Sequence, residues 1–178
     1  MKLYRKMKKI VGWFIMMLSI WVANAQDSTI VQSHYLTIPK TDIEIIPPKF
    51  FIVLPSTPNV LVHPTTSSTI QVNEIKGLGY PLSIKKLTKK HIEEQGATFI
   101  FKKDTITANG NRGTLYLVRF KVKGHDSNHT ELEYERYMFF TGNYENTIWI
   151  NANYPVIAKE TIAPVLLHSV LSARFVKQ

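Results

Sequence analysis

The sequence predicts an α+β fold: an antiparallel sheet of about six strands packed against helices. Three observations predict it. Several segments run or alternate apolar at strand length and are separated by short polar turns, so that successive strands pair antiparallel. Two other segments repeat apolar residues every three to four positions, the helical period. Cysteine is absent from the 178 residues, so a packed core rather than disulfides has to hold the fold, and thiolate metal sites and cysteine nucleophiles are excluded.

The first 25 residues stand apart. Lys2, Arg5, Lys6, Lys8 and Lys9 form a basic head, Ile10–Val22 is an apolar run of 13 residues, and Ala23-Asn24-Ala25 is a small-x-small sequence. This is the layout of a secretory signal peptide, with cleavage expected between Ala25 and Gln26. A membrane-spanning helix needs roughly 20 apolar residues, so the mature chain is not expected to span a membrane. Lipoprotein processing is excluded because no cysteine follows the run. The chain is therefore expected to be exported, to a periplasm or to the outside.

The leader also distorts the charge. The whole chain carries +9, with 22 Lys+Arg against 13 Asp+Glu. Five of the basic residues and none of the acidic ones lie in the leader, leaving 17 against 13, a formal charge of +4 on the mature 153 residues. That excess is ordinary for a small exported domain and implies no nucleic-acid partner. The mature length suits one domain with one core.

Residues 26–40 are mostly polar and read as a flexible lead-in, so a single domain is expected over 41–178. Asp42-Ile43-Glu44-Ile45-Ile46 alternates and stops at Pro47-Pro48. The apolar pieces Phe50–Leu54 and Asn59–Val62 are interrupted by Pro55 and Pro58 and read as turns and loops. Ser68–Ile75 is a strand with Ile70 and Val72 on one face, its half-buried part ending near Asn73 because Glu74 would fall on the apolar face. After Gly77-Leu78-Gly79-Tyr80-Pro81, the residues Ile84, Leu87 and Ile92 make a helical stripe. Ser83 or Thr88 would cap that helix and Gly96 would stop it. Strands follow at Thr98–Ile106, Gly113–Lys123, Glu131–Thr141 and Thr147–Tyr154. Asn109-Gly110-Asn111, the polar loop Gly124–Thr130 and Gly142-Asn143 separate them. A last helix, with Thr161 as cap and Pro164 in its first turn, carries Ile162, Val165, Leu166, Ser169 and Val170 on one side. Ser172–Val176 either prolongs it or returns to a sheet edge.

This order resembles the PsbP/Mog-like fold family. Ser68-Thr69-Ile70-Gln71-Val72-Asn73-Glu74, the helix end Glu94-Gln95-Gly96, Gly113–Phe120, and Asn153-Tyr154-Pro155 followed by Leu167–Phe175 carry the resemblance, over about residues 41–176. The family includes a Ran-GTPase-binding nuclear protein, an extrinsic photosystem II subunit and exported bacterial proteins. The resemblance to the exported members implies action by binding a partner, with no shared catalytic residues to carry over.

Several clusters are candidates for chemistry. His125, Asp126, His129 and Glu131 combine imidazoles and carboxylates on and beside one loop, the donor set of a divalent metal site; the bland alternative is a solvated hairpin loop with Asx turns. Glu131, Glu133 and Glu135 share one face of a strand, as a cation or acid/base row or as partners of cross-strand Lys and Arg. Lys85, Lys86, Lys89 and Lys90 crowd one segment and suit an anionic envelope surface, or pair with Glu93 and Glu94. The sheet aromatics Tyr134, Tyr137, Phe139, Phe140, Tyr144, Trp149 and Tyr154 would serve as a platform if exposed and as core if not. No P-loop, Gly-x-Ser-x-Gly or His-Glu-x-x-His pattern occurs, and no cofactor is expected. The expected function is an exported, non-enzymatic accessory or binding protein of the bacterial envelope with a protein or envelope partner. The alternatives are a metal-dependent hydrolase using residues 125–131 and an anionic-surface binder using the helix lysines.

Overall fold

The structure, a computed structural model, describes residues 34–123 and 131–176. The expected signal peptide, residues 1–25, and its expected cleavage point lie outside them. Two short strands come first, β1 (Leu36–Thr37) and β2 (Ile43–Ile45). Then follow β3 (Ile52–Leu54), β4 (Thr57–His63), β5 (Ser68–Ile75), helices α1 (Tyr80–Ser83) and α2 (Lys89–Glu94), and strands β6 (Thr98–Ile106), β7 (Arg112–Lys123), β8 (Glu131–Gly142) and β9 (Thr147–Pro155). A 3-10 turn at Val156–Ala158 leads into α3 (Lys159–Leu171), and β10 (Arg174–Phe175) closes the chain. One seven-stranded sheet has the order β3-β4-β5-β9-β8-β7-β6, with every neighbour antiparallel; β1, β2 and β10 form a second, three-stranded sheet. The α+β class is as expected.

The strand count differs from six because the proline-broken stretch is a hairpin. Pro58 is tolerated in β4 because it stands at the strand's start, before the ladder to β5 begins at Val60 opposite Gln71, so its missing N–H is not needed there. The Asp42–Ile46 strand forms, as Ile43–Ile45, but joins the small sheet. The expected lead-in also contributes structure: Leu36–Thr37 pairs with β2 and Ile38 is fully buried in the main core. Ile38 N–H donates to the Ile43 carbonyl at 2.9 Å, closing a turn in which Lys40 takes φ 65°. Two apolar residues spaced by two are too short a signal to read as a strand.

Alternation divides the large sheet into two faces. On one, Ile70, Val72, Leu115, Leu117, Phe139, Ile150 and Ala152 pack against Ile162, Ala163, Leu166 and Val170 of α3 and against Ile43 and Ile45 of β2. Glu74 does lie on this face. Its carboxylate accepts from the Asp42 N–H at 3.1 Å and faces Lys76 at 3.6 Å, which lets β5 continue to Ile75. On the other face, Tyr116, Val118 and Phe140 are covered by Tyr80, Ile84, Leu87 and Ile92 of the α1–α2 segment. Thr88 caps α2, its hydroxyl accepting from His91 N–H at 3.2 Å, and Gly96 follows at φ 81°. Thr161 does not cap α3. The 3-10 turn moves the cap position three residues earlier, to Ala158, and the Thr161 hydroxyl donates to the Ala158 carbonyl instead. Pro164 thus sits inside α3, on an exposed turn where water can take the Glu160 carbonyl that proline leaves without a donor.

Candidate functional site

Of the expected metal ligands, His125, Asp126 and His129 lie outside the described residues. Glu131 opens β8 and pairs with Lys121 at 2.9 Å, and its pKa is held below the usual carboxylate range by that hydrogen bond and charge. Among the described residues no group of three His, Cys, Asp or Glu converges for a metal ion. Lys85 and Lys86 are exposed in the turn before α2, while Lys89 and Lys90 each reach the glutamate one turn on, Glu93 and Glu94, at 3.8 Å.

Among the described residues, the face that carries α1 and α2 is covered over only part of its area. Beyond Val118 and Phe140 toward the far end of the β7–β8 hairpin, the same-face residues are Phe120 and Val122 on β7 and Leu132, Tyr134 and Arg136 on β8, paired in register as Phe120 opposite Tyr134 and Val122 opposite Leu132. Phe120 and Tyr134 stack with centroids 6.0 Å apart. Val122 and Leu132 are 41% and 46% exposed. Arg136 lies 4.7 Å over the Phe120 ring and donates through Nε to Asn153 at 2.6 Å; Asn153 donates onward to Thr69 at 2.9 Å. Burial lowers the pKa of Arg136. The strip is thus apolar at its tip and bounded by one guanidinium and a row of polar side chains running across three strands.

The opposite face holds a charge row at the same register. Glu135 is 0% exposed. Its carboxylate accepts from Arg119 at 2.7 Å and from the Tyr154 hydroxyl at 2.7 Å, and Lys159 from the start of α3 lies 3.1 Å away. Burial alone would raise its pKa; the bonds from Arg119, Tyr154 and Lys159 outweigh burial and hold it below the usual carboxylate range. Burial and the bond to Glu135 push the Tyr154 phenol far above its usual range. The alternating glutamates are legible in the sequence, and their pairing with β7 cations is seen for Glu131 and Glu135. The closure of Glu135 is not legible, because Tyr154 and Lys159 arrive from β9 and α3.

A cleft of about 750 Å³ opens between α1, the β6–β7 turn and the β8–β9 turn. Tyr80, Pro81 and Ile84 form one wall and Lys102, Asp104, Ile106 and Arg112 the other. The Tyr80 hydroxyl and Thr114 Oγ1 are 2.9 Å apart, and Thr114 donates to Asp104 Oδ1 at 2.9 Å, so Tyr80 is the donor in the first bond. Tyr144 is 91% and Ile106 65% exposed at the rim. A Cβ on Gly79 would collide with the Tyr144 carbonyl, so glycine there lets α1 start against the β8–β9 turn, where Tyr80 N–H donates to the Asn143 carbonyl.

Among solved structures, the chain is similar to the Ran-binding protein Mog1p of Saccharomyces cerevisiae. The identity is 11%, covering 83% of this chain and 97% of that one, with a TM-score of 0.53. It is equally similar to cyanobacterial PsbP (CyanoP) from Synechocystis sp. PCC 6803, at 11% identity over 80% and 91% of the two chains and a TM-score of 0.53. No protein-family model and no curated protein matches the sequence. At such identities the likeness is one of fold.

Proposed function

We propose that this chain, which has the PsbP/Mog-like fold, is an exported accessory protein that binds a protein partner through the open part of its sheet face. The observation that carries this is the Phe120, Val122, Leu132 and Tyr134 strip. A sheet face with a helical cover over one part and exposed apolar side chains beyond it is the arrangement of a partner surface. Mog1p, of the same fold, is a Ran-binding protein, which agrees with a protein as the kind of ligand. The basic head, apolar run and Ala23-Asn24-Ala25 of the leader support export, and the envelope is where the partner is sought. Among the described residues no helix is long and apolar enough to cross a membrane.

The test is affinity capture from an envelope fraction with the unaltered chain and with the double variant Val122→Asp/Leu132→Asp. Both sites are exposed, so the variant keeps the unaltered circular dichroism spectrum. The expected outcome is one partner enriched by the unaltered chain and lost with the variant. Equal recovery with both proteins, or no specific partner, overturns the proposal.

A further inference from the structure

We propose that the cleft between α1 and β6 is a second site, which binds an acidic segment of extended peptide. Shape comes first. Lys102, Asp104 and Ile106 line it at alternate positions of one strand, so the trough follows β6 for four residue steps, about 13 Å at the rise of a strand. That is the length of a tetrapeptide in extended form. Among the described residues β6 ends the seven-strand order, so no further strand closes the outer side of the trough.

Charge decides what kind of peptide. Lys102 and Arg112 both line the cleft, and neither makes an ion pair among the described residues. Among the described residues the only carboxylate in the lining is Asp104, and Thr114 donates to its Oδ1. Lys102 is held 5.5 Å over the Tyr116 ring, which keeps its ammonium on this face. Two cations against one carboxylate leave this lining with a formal charge of +1, which favours an anionic ligand. Pro81, Ile84, Ile106 and the exposed Tyr144 ring add apolar contact that a free carboxylate would not use. In an extended peptide acidic residues at alternate positions face one way, toward the two cations, and the residues between them face the other.

The probe is the capped tetrapeptide acetyl-Glu-Tyr-Glu-Leu-amide, titrated into the ¹⁵N-labelled full chain. The reporters are the backbone amides of Gly110, Gly113 and Gly142, all in the lining. Their resonances are expected to shift together, and the double variant Lys102→Glu/Arg112→Glu is expected to weaken binding at least about tenfold. Acetyl-Lys-Tyr-Lys-Leu-amide is expected to leave them in place. The proposal is overturned if the three glycines do not respond, if the basic peptide binds as well as the acidic one, or if N-acetylglutamate alone gives the same shifts. The Val122→Asp/Leu132→Asp variant retains tetrapeptide binding, so the cleft is read independently of the sheet-face surface.

Discussion

Glu135 and Asp104 are two strand carboxylates on opposite faces of one sheet, and they have been treated very differently by the chain. Glu135 is enclosed by a guanidinium, an ammonium and a phenol from β7, α3 and β9. Asp104 holds one threonine hydroxyl and opens onto a cleft whose two cations it does not neutralise. A charge with all its partners supplied by the fold is a structural device. A site whose cations have no ion-pair partner among the described residues is where the proposed acidic peptide would supply one. The contrast separates the two even though both began as ordinary acidic residues on alternating strands.

The largest test of this contrast removes the enclosed carboxylate. Glu135→Ala leaves Arg119 and Lys159 facing the buried Tyr154 hydroxyl with no acceptor, and is expected to cost about 3 kcal/mol of unfolding free energy, measured by urea denaturation. Acidification reaches the same group without mutation. The folded-state pKa of Glu135 is lowered, so its contribution is complete above the ordinary carboxylate value and is lost as pH falls through the folded value. The thermal midpoint is therefore expected to fall steeply below the usual carboxylate range, and Glu135→Gln is expected to flatten that part of the profile. An unaltered slope would show that other carboxylates carry the acid sensitivity. The smallest effect belongs to the open site. Asp104→Ala deprives the buried Thr114 hydroxyl of its acceptor and is expected to cost about 1 kcal/mol. A loss as large as that of Glu135→Ala would make the cleft a structural element and erase the difference between the two faces.

Much of the sheet was legible because its signals are local. Thr98–Ile106 is bounded by Gly96 and by Asn109-Gly110-Asn111, and β7, β8 and β9 differ from their expected limits by a residue at an end. The proline-broken hairpin was not legible. Pro55 and Pro58 argue against strands in general, and only the register shows that β4 needs no donor at Pro58. The helix start also moved, because a threonine side chain bonds backward to Ala158 as readily as it caps. The site residues divide in the same way. The row Glu131, Glu133, Glu135 is visible as alternation, and its β7 partners follow from antiparallel pairing. The cleft is assembled from a four-residue helix, an edge strand and two turns, with residues from Tyr80 to Tyr144, and no spacing within the sequence announces such a convergence.

The small sheet has a consequence for the order of assembly. β2 lies between β1 and β10, and Arg174 reaches Glu44 across 130 positions at 2.9 Å. Ile43 and Ile45 belong to the main core, so one edge of that core is latched by a strand that follows it by about 130 positions. This latch stays open until β10 has reached β2, however early the rest of the sheet pairs. Local pairings such as β7 with β8 can form early, whereas the small sheet closes only through a contact of very long sequence separation.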